Sequence, residues 1–328
     1  MAMTPPTNDE SAILMLCATL GRGGSCPRPL TGISYDRLAA WLRAHGARPG
    51  DLLDDRTDLI AELGRSEHAD LVPSLELLLS GQLALALRLE SWNRVGGWVV
   101  TRGSADYPRQ LSRLGAKRPP VLFGLGSRSL LGKRGIAIVG SRDAPDRDID
   151  FSSALGAAAA IDGIAVVSGA ARGVDWAGMA GALDARGTAI GVVSDRLADI
   201  PTMSSWRRAL LAGDLCMISA VDPESRFTAA NAMARNKVIY GLAERAVVVR
   251  SAHGSGGTWT GAAEAIRSGT CPVHVRAHPG GEARQAAEEL VRRGAFMLPD
   301  LPAASSLRSI LGGQAKSDVS GIGPTLWD

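Results

Sequence analysis

A chain of 328 residues with 45% apolar content has room for two domains, each with a sizeable core. Its 36 basic and 33 acidic residues leave a formal charge of +3, too balanced to single out nucleic acid as a partner. Four lysines stand against 32 arginines, which suits phosphate and carboxylate recognition but also follows from genomic base composition alone.

The N-terminal MAMTPPTNDE lacks a basic leader region, and the apolar run AILMLCATL (12–20) is about half a membrane span. Cys17, Cys26, Cys216 and Cys271 form no CxxC pair and have no His at ligand spacing. No zinc site is expected, and the scattered thiols fit a reduced, cytoplasmic protein with no membrane segment.

Within residues 8–95, DESAILMLCATL, SYDRLAAWLRAHG, RTDLIAELG and SLELLLSGQLALALRLESW repeat apolar residues at helical spacing. Asp or Ser opens several of these stretches and Gly closes several, which predicts a small all-helical domain. Residues 96–130 read as a connector with two short β runs and a Pro-Pro pair.

From Ile136 the pattern changes. IAIV (136–139), IAVV (164–167), AIGVV (189–193), LCMIS (215–219), AVVV (246–249) and PVHV (272–275) alternate with helix-length segments. Continuous apolar strands separated by helices predict a doubly wound, mainly parallel, Rossmann-like sheet over residues 131–298. Residues 299–328 read as a flexible tail with no winged-helix module.

In such a sheet the ligand lies beyond the carboxyl ends of the strands. Gly140, Ser141 and Arg142 follow the first strand, and Ser168, Gly169, Arg172, Gly173 and Asp175 follow the second. A helix start before the fifth strand carries Arg235, Asn236 and Lys237, and the turn after that strand is SAHGSGGTWT (251–260). Glycines let backbone N–H groups approach a phosphate, and helix N-termini favour negative charge. The set reads as an anion cradle, with Asp175 organising its turn by fixing Arg172 or capping the next helix. His253, in the Gly-rich loop, is placed to touch a ligand.

Neither GxxxxGK[ST] nor GxGxxG is present, and no nucleotide cofactor is expected. Ser141, Ser168 and Ser255 lack a GxSxG elbow, and the five histidines make no recognisable triad.

The ordered motifs IVGSR, SGAARGVD, ARNKVIYGL and VVV…GSGGTWTGAAEA resemble the DNA-processing protein A (DprA, or Smf) family, and the connector's Tyr107-Pro108 and PPVLFGLG fit it too. The resemblance covers about residues 10–300. It implies a helical SAM-like domain before an extended Rossmann fold, and binding of single-stranded DNA without catalysis. It further implies a homodimer that loads a RecA-type recombinase onto DNA during natural transformation. Matched position by position, the binding residues are Gly140, Ser141, Arg142, Ser168, Gly169, Arg172, Gly173, Asp175, Asn231, Arg235, Asn236, Lys237, Ser255, Gly256, Thr258 and Thr260.

Several family positions differ. Met179 stands where the family has His, Ala232-Met233 replace Phe-Pro, Lys237 replaces Arg, and Arg250 replaces Glu. Losing that Phe removes a base-stacking or packing residue, and losing that His removes a proton shuttle. Family dimers form late in the sheet, which directs attention to AVVVRSAHGSGG through CPVHV. The rival class on this fold is a nucleotide-binding sensor or a LOG-like nucleotide phosphoribohydrolase. LOG enzymes carry PGGxGTxxE, whereas here no carboxylate follows Thr258 at that spacing and Asp175 is the one substitute.

Overall fold

The computed structural model describes residues 6–18, 28–54, 56–202, 204–298, Leu307 and Leu311. Cys26 and most of the predicted tail lie outside the described residues; Leu307 and Leu311 are helical and buried in the core. Cys216 and Cys271 are buried free thiols. No single helix among the described residues is long and apolar enough to cross a membrane.

The N-terminal region forms α1 (Asn8–Cys17), α2 (Gly32–Ala44), α3 (Asp51–Asp54), α4 (Arg56–Leu63), α5 (Val72–Leu78) and α6 (Gln82–Arg94). Thr7 and Glu10 form a capping box at α1, which satisfies two otherwise orphaned N–H groups. The last predicted stretch divides at Gly81, the N-cap of α6, and its two halves meet at 65°.

The connector contributes β1 (Gly97–Thr101) and β2 (Val121–Gly126). Then come β3 (Gly135–Gly140), α7 (Asp146–Ile161), β4 (Ala165–Ser168), α8 (Val174–Asp184), β5 (Ala189–Val193), α9 (Ser204–Ala212) and β6 (Leu215–Ser219). There follow α10 (Ala229–Leu242), β7 (Arg245–Arg250), α11 (Gly256–Ser268), β8 (Val273–Arg276), α12 (Gly281–Arg292) and β9 (Phe296–Leu298). The nine strands among the described residues make one sheet in the order β1-β2-β6-β5-β4-β3-β7-β8-β9. The pairs β1–β2 and β2–β6 are antiparallel and the other pairs are parallel.

Alternation along the strands divides the core in two. Ile136, Ile138, Val166 and Phe123 join Leu14, Leu38 and Leu75 of the helical region in one continuous cluster. Ala137, Val139, Val167 and Leu122 face the opposite side with Ile239 and Trp259. A tryptophan clamp fastens the helices to the sheet edge: Trp92 Nε1 donates to the Trp98 carbonyl (3.0 Å) and Trp98 Nε1 to that of Gly126 (2.9 Å). A Cβ at Gly97 would fall 2.1 Å from the Trp92 ring, so no larger residue fits between helix and strand.

β7 and β8 are interior strands, each paired on both sides. The edge beyond them is β9, whose three residues carry too short an apolar signal to be predicted. A dimer through a strand edge on this side would therefore use β9 and not the predicted β7–β8 segment.

Candidate nucleic-acid interface

From β3 the chain winds through β4 and β5 to β6, then crosses along α10 to β7 on the other side of β3. The strand order thus reverses between β3 and β7, and the crevice at their carboxyl ends is where such sheets bind ligands. A cavity of about 440 Å³ opens there. It brings together Gly140, Ser141, Arg142, Asp175, Arg235, Asn236, Ser255, Gly256 and Thr258 from four separate segments.

Two of these residues hold the walls. Thr258 Oγ1 donates to the Gly140 carbonyl (3.2 Å), tying α11 to β3, and Asn236 Nδ2 donates to the Gly257 carbonyl (3.0 Å), tying α10 to α11. Ser255 is the N-cap of α11 but makes no side-chain cap bond, so the first N–H groups of that helix have no capping side chain. Gly256, at φ +82°, occupies the left-handed region that permits this turn.

Asp175, in the first turn of α8, is buried. Its carboxylate accepts from the Gly140 backbone N–H (3.2 Å) and from those of Gly169 and Ala171. Its cation is Arg235, at 3.8 Å, and not Arg172. Arg172 is exposed and pairs instead with Asp143. Burial outweighs the loose pairing on both sides. The Asp175 carboxyl is pushed up to about 6, and burial with Arg142 nearby lowers the Arg235 guanidinium. Gly169 makes the pair fit: a Cβ there would fall 1.4 Å from Arg235 Nη1. Gly173, at φ +89°, is held as closely, because its Cβ would meet the Ser141 carbonyl oxygen at 2.4 Å.

Arg142, Arg235, Asp143 and Asp175 line this cavity, and Asp143 is taken up by Arg172. Arg142 is exposed and makes no ion pair with a described residue; its guanidinium lies 6.0 Å from the Phe227 ring. Two buried donors on lining residues, Arg235 Nε–H and the Tyr240 hydroxyl, have no acceptor within the described protein. Buried donors are nearly always satisfied, so these two mark a hydrogen-bonding deficit in the cavity wall.

Other predicted residues sit elsewhere. Ser168 is fully buried, and its hydroxyl donates to the Ile138 carbonyl (2.5 Å). Gly169, Arg172 and Gly173 line a neighbouring cleft. Arg235 to Lys237 lie in the middle of α10, not at its start, and Lys237 turns away to pair with Glu264 at 3.3 Å. Asn231 and Thr260 do not line the cavity, nor does His253, whose ring packs edge-on to Trp259.

The departures from the family pattern acquire physical reasons. Met179 is fully buried, with its Cε 3.1 Å from where a Cβ on Gly191 would fall. That position faces the sheet, not the ligand crevice, so a proton shuttle there would not reach the cavity. Arg250 is matched by buried Asp148, at 3.0 Å. Sequence reading missed Phe227, which supplies an exposed aromatic ring to the cavity although Ala232 replaces the family's Phe. It also missed Tyr240, one apolar-looking residue among several in α10.

Fold and crevice together define a Rossmann-like protein with a cavity at its switch point. The family model for DNA recombination-mediator protein A matches residues 98–306, and the chain belongs to that family. DNA processing protein DprA of Bacillus subtilis is 30% identical over 183 residues, covering 55% of this chain and 61% of that protein. The putative DprA of Mycobacterium tuberculosis is 30% identical over 188 residues, covering 53% and 48%. The chain thus matches about half to three-fifths of the length of these curated relatives. Among solved structures, DprA of Streptococcus pneumoniae superposes with a TM-score of 0.62 at 20% identity, covering 77% of this chain and 90% of that one. DprA of Helicobacter pylori, described for its single-stranded DNA binding mode, gives 0.52 at 22% identity, covering 61% and 90%. At these identities the structural likeness speaks for the fold.

Proposed function

We propose that this protein binds single-stranded DNA without cleaving or modifying it, as a recombination mediator of the DprA kind. The observation that carries the reading is the β3–β7 cavity, where unpaired Arg142 and loosely paired Arg235 accompany an uncapped helix start. Phosphate oxygens match all of these groups. Asp175 acts as a positioning residue: its oxygens accept three backbone N–H groups and face Arg235. Family membership supports the wider role, which is cytoplasmic loading of a RecA-type recombinase by a homodimer during DNA uptake or other recombination.

The near-neutral Asp175 carboxyl favours one rival, a nucleotide hydrolase using it as acid or base. Two assays separate the readings. Labelled oligo-dT should form a salt-sensitive complex with the wild-type chain that Arg142→Glu weakens at least about tenfold. AMP should release no free base. Base release that Asp175→Ala stops would replace the DNA reading with the hydrolase, and an unaltered complex with Arg142→Glu would remove the cavity from the DNA path.

A further inference from the structure

We propose that the cleft on the far side of Arg235 is a nucleobase subsite, with Trp176 as its stacking face. This inference rests on the reading that a strand's phosphates occupy the β3–β7 cavity. The cleft encloses about 980 Å³ and shares Arg142, Ala171 and Arg235 with that cavity. The two spaces are neighbours along one wall. α8 serves both in consecutive residues: Asp175 lines the first and Trp176 the second. Adjacent helical residues point about 100° apart, which is how one turn supplies both.

Trp176 is 36% exposed, whereas Trp206 of α9, beside it at a ring-centroid distance of 4.2 Å, is 3% exposed. The buried indole backs the exposed one and limits its rotamers, so a stacking surface stands pre-formed. Arg142, Arg172, Arg196 and Arg235 line this cleft against Asp195 and Asp199. Arg172 pairs with Asp143, Arg196 pairs with Asp199 at 2.6 Å, and Asp195 adds another carboxylate to the lining. A cleft that sets a backed, exposed indole beside arginines suits a base together with its sugar–phosphate backbone.

The backbone is specialised here too. Ala170 (φ 52°) and Arg196 (φ 50°) are two of the three described non-glycine residues with positive φ, and both line the cleft. Such conformations persist where surrounding structure enforces them, and they gather at ligand sites. A base in a duplex is paired and stacked, so only a single strand can offer its face to Trp176. The subsite thereby makes the protein selective for single strands.

The test compares oligo-dT, an abasic strand of equal length, and dTMP as probes of the full chain by fluorescence anisotropy and competition. Trp176→Ala should weaken oligo-dT about tenfold and leave the abasic strand unchanged, while Trp176→Phe keeps most of the affinity. Equal oligo-dT binding by wild type and Trp176→Ala, with Arg142→Glu still defective, would overturn the base subsite and leave the phosphate reading intact. Equal weakening of both strands by Trp176→Ala would also overturn it, as a structural effect. Wild-type failure to bind either strand would sink the phosphate reading and this inference together. Binding of dTMP but not oligo-dT, lost in Trp176→Ala, would reassign the occupant to a free nucleotide.

Discussion

Two buried carboxylates one helix apart, Asp148 on α7 and Asp175 on α8, are treated in opposite ways by the same sheet. Asp148 is fully buried and saturated, with Arg276 at 2.5 Å and Arg250 at 3.0 Å on its two oxygens and the His278 ring 4.0 Å away. Arg276 is itself fixed over the Phe151 ring, at 4.1 Å. Asp175 has a single cation at 3.8 Å and otherwise only backbone donors. Where pairing is complete the carboxylate locks α7 to β7 and β8. Where it is incomplete, the carboxyl keeps its proton up to about pH 6 and the guanidinium is loosely matched, beside a cavity. Structural and ligand-facing charge are thus distinguished by how fully each is matched.

The largest effect should come from the saturated site. Asp148→Ala leaves buried Arg276 and half-buried Arg250 without their anion and should lower stability by about 3–5 kcal/mol in denaturant titrations. Oligo-dT affinity of the folded fraction should stay unchanged. A mild stability loss, or a binding defect, would erase the contrast between the two carboxylates.

Next is Gly169→Ala, which forces Arg235 out of its place against Asp175. Oligo-dT affinity should fall about tenfold or more, since buried charge pairs broken on one side lose several kcal/mol. Binding within twofold of wild type would show that Arg235 does not organise the cavity.

A smaller effect should follow pH. The Asp175 carboxyl is raised from 3.8 to about 6 in the folded chain, so the native state holds the extra proton between those values. Any stability from this group is present below pH 3.8 and lost as pH rises through about 6. Protonation also leaves Arg235 unopposed. Strand affinity should therefore rise a few-fold as pH falls through about 6, and Asp175→Asn should flatten that rise. A flat wild-type profile would mean the pair does not communicate with the ligand.

The smallest effect belongs to Lys237→Ala. Its ammonium pairs with Glu264 in a groove shared with Lys117, so strand affinity should stay within about twofold.

Much of this arrangement was legible in the sequence. All six predicted strands form, because unbroken apolar runs between helices have few alternatives to a covered parallel sheet. The turns carrying Gly140–Arg142 and Ser255–Thr258 were legible because glycine and serine at strand ends have a narrow structural meaning. Facing direction within a helix was not. Lys237 and Arg235 are two residues apart on α10 and serve different grooves, which motif order cannot tell. Nor could Asp175 be assigned to Arg235 over Arg172: Arg172 is three residues away in sequence, and only the crossing of α10 over the sheet brings the other arginine in. Trp176 and Trp206 escaped notice because each lies in an otherwise ordinary helix, and their meeting is tertiary.

The central claim is that phosphates of a single strand sit against Arg142 at the β3–β7 switch point. A salt titration of oligo-dT binding, run in parallel on wild type and Arg142→Glu, tests it most directly. The account predicts a linear fall of log affinity with log salt for the wild type, and a slope shallower by about one or more in the variant. Identical slopes for the two proteins, or wild-type binding that does not respond to salt, would contradict it.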